Sequence, residues 1–193
     1  GTGTDAGLAL ALLSGNGTGG FVYPAALDDL SDDLFLGEFA FEEPSKEIAA
    51  GDFDADGDLD LAITSTTDFL QILTNDGQGS FTATSRVTVE ERPIHVRAAD
   101  FDEDGTLDLL SVNADAKTLV IAFGQGGATF GAAGAGETAW KSIQLDGDVD
   151  LFDVVVSDID GDGAPDITLA EDGTNPPDTG RGSVQIFLGP GGG

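Results

Sequence analysis

Hydrophobic residues in this chain gather in short runs of five to eight positions, where apolar and polar side chains mostly alternate and Gly, Asn, Asp or Pro closes each run. Leu59-Asp60-Leu61-Ala62-Ile63 and Val184-Gln185-Ile186-Phe187-Leu188 are examples. A two-residue period turns one face of a strand to a core and the other to water. Few stretches keep helical spacing, and the longest helix-like candidate, Gly7 to Ser14, is short. The chain is therefore expected to be all-β, with about a dozen strands.

Sliding the sequence along itself aligns three segments, Ala50 to Leu61, Ala99 to Leu109 and Ser157 to Ile167, whose first aspartates lie 48 and 58 positions apart. After each comes an apolar strand that runs into a Gly-rich turn: Leu70 to Phe81, Leu119 to Phe130 and Val184 to Gly192. Leu8 to Phe21 carries this second element without an acidic loop before it, so the N-terminus reads as the second half of a repeat. A period near 50 residues with about four strands per unit points to a β-propeller, in which each small antiparallel sheet buries its faces against its neighbours. The expected division is a partial N-terminal blade with an insertion over residues 1–46, then blades over 47–95, 96–153 and 154–193, each with one acidic loop. Propellers close with about four to eight blades. This ring is accordingly expected to be partial, or to be completed by further blades. The absence of Met and the start at Gly1 carry the same expectation of a processed or excerpted piece.

Each acidic segment obeys Asp-x-Asp-x-Asp-Gly-x-x-Asp. The carboxylates are Asp52, Asp54, Asp56 and Asp60, then Asp100, Asp102, Asp104 and Asp108, then Asp158, Asp160, Asp162 and Asp166. Four carboxylates within nine residues repel one another unless a hard cation sits among them, and an all-oxygen ligand set suits Ca²⁺. About three Ca²⁺ sites are expected. Gly57, Gly105 and Gly163 at position 6 permit the sharp reversal that wraps an ion. Position 7 holds Asp58, Thr106 and Ala164, three unrelated side chains, as expected if the ligand there is a backbone carbonyl. An EF-hand would need Glu at position 12, where this chain has Ile63, Ser111 and Leu169, and a strand follows the loop rather than a helix. Apolar residues at positions 2 and 10, Phe53/Leu61, Phe101/Leu109 and Ile159/Ile167, tie each loop to the core, so metal binding and folding should be coupled.

These loops, followed by a strand and a Gly-rich turn, closely resemble the FG-GAP and VCBS repeats of integrin alpha-subunit propellers and of many secreted bacterial proteins. The resemblance covers about residues 47–192 and the half-repeat at 8–21. It implies a propeller with Ca²⁺ in a loop of each blade, held by the twelve aspartates named above and by backbone oxygens of Asp58, Thr106 and Ala164. The Phe-Gly element survives as Phe123-Gly124 and Phe130-Gly131, while Gly163-Ala164-Pro165 matches the Gly-Ala-Pro element only by coincidence. The bacterial type of repeat fits better than a true integrin.

Charge narrows the partners. With 36 acidic and 7 basic side chains the formal charge is −29, and 27 of the acids are Asp, which with 29 Gly favours turns over helices. Such a polyanion lacks the clustered Lys and Arg that nucleic acid or an anionic membrane requires. No apolar run reaches the roughly 18 residues that span a bilayer. The lack of Cys removes disulfides, thiolate zinc sites and Cys nucleophiles. Three bound Ca²⁺ ions would still leave a formal charge of −23. Extracellular modules bind Ca²⁺ in the 10⁻⁴ to 10⁻³ M range, so a secreted or cell-surface location is expected.

Other candidates are weaker. Gly15 to Gly20 fits a dinucleotide pattern but no helix follows, and Asn16-Gly17-Thr18 reads better as a hairpin turn than as a glycosylation acceptor. His95 is the single histidine, in an alternating strand beside Arg97, and is expected to be structural. Trp140 and Tyr23 are candidates for stacking on a sugar, with packing as the commoner role. The insertion between Phe21 and Ile48 is expected to hold a solvated helical turn, and Gln144 to Asp153, with Asp146, Asp148 and Asp150, mimics an ion loop without its position-6 Gly. No nucleophile and base pair stands out, so no enzyme activity is expected. The reading is a calcium-binding extracellular repeat protein acting in adhesion or surface assembly, with a protein or glycan ligand or self-association. The alternative is a lectin-like propeller or an accessory module of a secreted enzyme.

Overall fold

The computed structural model describes residues 14–15, 21–22, 46–131, 140–145, 150–172 and 182–190. Tyr23, Asn16-Gly17-Thr18, residues 23–45 of the insertion, and Asp146 and Asp148 lie outside the described residues. Every regular element described is a strand, and all pairings are antiparallel. Among the described residues no helix is long and apolar enough to cross a membrane.

A two-stranded ribbon, β1 (Ser14–Gly15) with β2 (Phe21–Val22), belongs to the N-terminal half-repeat. Three meandering sheets follow. The first orders β3 (Ile48–Gly51), β4 (Asp60–Thr64), β5 (Phe69–Asn75) and β6 (Phe81–Thr88). The second orders β7 (Pro93–Ala99), β8 (Asp108–Asn113), β9 (Thr118–Ala122) and β10 (Trp140–Gln144). The third orders β11 (Asp150–Ser157), β12 (Asp166–Asp172) and β13 (Ser183–Phe187). Each acidic loop joins the first strand of a sheet to the second, and each Gly-rich segment leaves the third. The repeat seen in the sequence is thus one sheet.

Alternation assigns the two faces of each sheet to two cores. Leu109, Val120 and Ala122 of the second sheet pack with Ala62, Leu70 and Ile72 of the first, while Leu110, Val112, Leu119 and Ile121 pack with Val154, Ile167 and Leu169 of the third. The second sheet is covered on both sides, so all of β8 and β9 is buried, the polar Asp108, Ser111, Asn113 and Thr118 included. Among the described residues, only one face of the third sheet is covered. Val155, Val184 and Ile186 stand on its far side, at least half exposed.

A polar girdle ties the first strands together. Glu47, just before β3, accepts the Val96 amide N–H at 2.8 Å and pairs with Arg97 at 2.6 Å and His95 Nδ1 at 3.1 Å. Arg97 also reaches the third sheet, donating to the Val154 carbonyl at 2.9 Å and to Asp153 at 3.0 Å. One guanidinium with several donors therefore links all three sheets; its bonds to Glu47 and the Val154 carbonyl are partly buried, where charge-assisted bonds are stronger than on an open surface, and that to Asp153 is exposed. His95 is a strand residue of β7 that contributes to this girdle.

The two faces make different demands on a truncation. Leu110→Ala is expected to cost about 2–5 kcal/mol, because it empties volume between covered sheets, whereas Ile186→Ala on the open face should cost less than about 1 kcal/mol. Urea unfolding of both variants checks this, and equal losses would contradict the open third face.

Candidate metal centre

The three acidic loops share one backbone trajectory. At position 6, Gly57, Gly105 and Gly163 have φ of 97°, 88° and 98°, the left-handed region that glycine enters without strain. Position 4 is left-handed too, and here the chain tolerates Ala55 (64°) and Glu103 (59°) beside Gly161 (82°). Sequence reasoning missed this second reversal, for which Gly161 was the only available signal. The two turns curl the peptide around the first aspartate. Asp52 accepts the N–H groups of Asp56 and Gly57 at 3.1 Å each. Asp100 accepts those of Asp104 at 3.0 Å and Gly105 at 2.8 Å. Asp158 accepts those of Asp162 at 3.1 Å and Gly163 at 3.0 Å.

Position 9 closes each loop from inside. Asp60, Asp108 and Asp166 are fully buried, and each carboxylate takes two amide N–H groups. One comes from position 2: Phe53 to Asp60 at 2.9 Å, Phe101 to Asp108 at 2.7 Å and Ile159 to Asp166 at 2.7 Å. The other comes from just beyond or at the end of the third strand: Asn75 at 2.9 Å, Gly124 at 2.7 Å and Gly189 at 2.8 Å. A carboxylate without countercharge survives burial only if its lone pairs are used in this way. Gly124 and Gly189 serve a second purpose. A Cβ on Gly124 would strike the Leu107 carbonyl, and one on Gly189 would stand 2.7 Å from the Pro165 carbonyl. Asn75 replaces that close approach with a bond from its Nδ2 to the Leu59 carbonyl at 3.2 Å.

The structure brings together three of the four carboxylates in each loop. Oxygens of Asp52, Asp54 and Asp60 lie within 4.8 Å of one another, as do those of Asp100, Asp102 and Asp108 and those of Asp158, Asp160 and Asp166. Asp56, Asp104 and Asp162 fall outside these groups. Their Oδ1 atoms instead accept the N–H of position 7, from Asp58 at 2.9 Å, Thr106 at 2.7 Å and Ala164 at 2.9 Å. The donor set is all oxygen and formally trianionic, which fits a hard divalent cation and offers nothing to a soft one. These three groups are candidate sites able to hold a metal ion, compatible with Ca²⁺.

Crowding shows in the acidities. Burial, with neighbouring carboxylates adding to it, pushes Asp54, Asp102 and Asp160 above the usual carboxylate range, against bonds from backbone N–H groups. Asp108 is pushed up to about 6, chiefly by burial, although the Gly124 and Phe101 amides pull it down. Asp166, with the same two kinds of amide bond, is held below the usual range by Gly189 and Ile159. Burial outweighs the amide bonds at Asp108, and the amide bonds outweigh burial at Asp166.

A raised carboxylate favours the folded chain when protonated. For Asp108 the penalty of ionisation is complete above about pH 6 and relieved below 3.8, its ordinary value. Asp54, Asp102 and Asp160 act with the same sign. Asp76 and Asp166 act oppositely, but their stabilisation is lost only below the ordinary value. The metal-free protein should therefore melt at a higher temperature at pH 5 than at pH 7. In excess Ca²⁺ the order should invert, since protons then compete with the ion. Melting curves in both conditions check the pair, and a shift of the same sign in both would exclude metal at these carboxylates.

No curated protein sequence matches the chain. Residues 52–111, which hold the first two acidic loops and about a third of the chain, match the FG-GAP-like repeat family, in agreement with the resemblance drawn from the repeats.

Proposed function

We propose that this chain is a calcium-stabilised segment of an extracellular β-propeller, noncatalytic, serving adhesion or surface assembly. The observation that carries the reading is the threefold recurrence of one trianionic pocket at the same place in three stacked sheets. A chance acidic surface would not repeat the same three oxygens, the same buried carboxylate and the same pair of left-handed residues.

Within this reading Asp52, Asp54 and Asp60 hold the first ion, Asp100, Asp102 and Asp108 the second, and Asp158, Asp160 and Asp166 the third. Asp56, Asp104 and Asp162 shape the turn, and position 7 offers its carbonyl. The bound ion supplies countercharge to carboxylates that otherwise push the loop open. Two packing features support the propeller. The first strands β3, β7 and β11 lie side by side, β7 touching both others, as the inner strands of adjacent blades do. The apolar far face of the third sheet also corresponds, strand by strand, to the face that the second sheet buries. A secreted location suits sites of millimolar to submillimolar affinity. Nothing among the described residues favours glycan binding over a protein ligand.

Native mass spectrometry should find three Ca²⁺ per chain. At a hundredfold excess over the dissociation constant each ion adds about 2.7 kcal/mol of stability. Asp54→Ala or Asp102→Ala should each remove one ion and lower the melting temperature in calcium, while leaving the chelated protein equal to its parent or slightly more stable. Calorimetry with no heat of calcium uptake at millimolar ion, together with unchanged melting, would end this reading.

A further inference from the structure

One short turn, Gly124 to Gly131, touches both the first and the second acidic loop, and it carries no charged residue. At its base the Gly124 N–H donates to Asp108 Oδ1 at 2.7 Å, and a Cβ there would strike the Leu107 carbonyl, so the turn starts pressed onto the second loop. Near its tip the Ala128 N–H donates to the Phe53 carbonyl at 2.8 Å and Ser85 Oγ donates to the Ala128 carbonyl at 2.9 Å. The Phe130 ring meets Phe53 edge-on, with centroids 5.6 Å apart at 75°. Phe53 belongs to the first loop. It stands between Asp52 and Asp54, and its own N–H donates to Asp60 at 2.9 Å, so it adjoins or bonds all three carboxylates of the first group.

Between these ends the turn is braced from within. The Gln125 N–H donates to the Thr129 carbonyl at 2.9 Å, the Thr129 hydroxyl to the Gly126 carbonyl at 2.6 Å, and the Gly131 N–H to the Phe123 carbonyl at 3.0 Å. Gly126, Gly127 and Ala128 are all left-handed, with φ of 74°, 61° and 55°. Glycine adopts that conformation freely, whereas an alanine there is strained and persists only where its surroundings hold it. The two bonds across the interface and the burial of Ala128 supply that hold. The turn is thus stiff in itself and has two states, a seated one that contacts with both loops stabilise and a released one that relieves Ala128.

We propose that this turn couples the first two candidate ion sites, so that filling either one favours filling the other. The inference rests on the calcium reading and adds a regulation to it. An ordered first loop fixes the Phe53 carbonyl, which holds Ala128 and seats the turn. A seated turn sets the Gly124 N–H on Asp108 and preorganises the second site, and the reverse effect follows by reciprocity. The sign separates this coupling from simple electrostatics. A cation in one site weakens the pull of the other on cations, so charge alone makes the coupling negative, and a positive one has to be carried by packing. In the third group Asp166 takes its amides from Ile159 and Gly189, neither in this turn, so that group serves as the reference.

The test is a Ca²⁺ titration of the full ¹⁵N-labelled chain, with the Gly57, Gly105 and Gly163 amides reporting the first, second and third sites. Asp54→Ala, which breaks the first site, should raise the Ca²⁺ concentration at the Gly105 midpoint about five-fold and leave that of Gly163 in place. In a Phe130→Ala background, where the turn is unseated, the same substitution should no longer move Gly105, and in a Ser85→Ala background it should move it less. Comparing backgrounds removes the change that losing the Asp54 charge makes by itself. Hydrogen exchange at the Ala128 amide should slow when Ca²⁺ is added to the parent chain, and slow less in Asp54→Ala. An unmoved Gly105 midpoint in Asp54→Ala, or an undiminished shift in both backgrounds, would overturn the coupling and leave the calcium reading standing. Should Phe130→Ala not fold, an undiminished shift in Ser85→Ala alone has the same force. If none of the three glycine amides responds at millimolar Ca²⁺, the calcium reading ends and the coupling ends with it.

Discussion

The structure depends on a buried carboxylate that accepts two backbone amides at the ninth position of every acidic loop. Asp60, Asp108 and Asp166 each join three parts of a sheet that the chain would otherwise leave loose: the start of the loop through position 2, their own second strand, and the end of the third strand. Replacing such a group with an apolar residue of similar size would free two amides in a dry place, at the full desolvation penalty of each. The same anchor brings position 2 into contact with the core, and Phe53 and Phe101 are buried for that reason. Fixing the ninth carboxylate also fixes the crowding, because the oxygens of positions 1 and 3 must then lie within 4.8 Å of it. The fold and the candidate metal site share one device.

Stacking multiplies that device. Each sheet is too small to bury its own apolar residues, and stability comes from sharing faces with neighbours, as in other repeat architectures. The second sheet gains most, with both faces covered, and the Glu47, Arg97 and Asp153 girdle holds the three first strands in register. The loop ends of the sheets are joined less uniformly. At one interface Ala128 and Phe130 complete the packing; at the other the described residues leave a cleft beside Phe101.

Much of this was legible in the sequence because two periodicities reinforce each other. Alternation marked the strands, and the roughly fifty-residue recurrence of Asp-x-Asp-x-Asp-Gly-x-x-Asp marked the unit that the three sheets repeat. Position 6 was readable since only glycine enters that φ without cost. The division of labour among the carboxylates was not. Asp56 resembles Asp54 on paper, yet one caps a turn and the other points into the cluster, a difference set by the left-handed Ala55 between them. The equivalence of Asn75, Gly124 and Gly189 was likewise hidden, because one side-chain bond and two close backbone approaches solve the same docking problem with unrelated residues. The continuous burial of β8 also escaped a search for alternation, since its sequence keeps the polar Asp108, Ser111 and Asn113, which the fold nonetheless buries.

Identical motifs need not make identical sites, and the three loops differ by what lies around them. Asp108 and Asp166 receive amides from the same two places, yet the first is pushed up to about 6 and the second is held low. At the first, burial outweighs the two amide bonds; at the second, the amide bonds outweigh burial. Burial that penalises a bare carboxylate also strengthens its attraction to a cation, because the same low dielectric enters both terms. The ninth carboxylate is therefore the point in each repeat where burial and a candidate cation site meet.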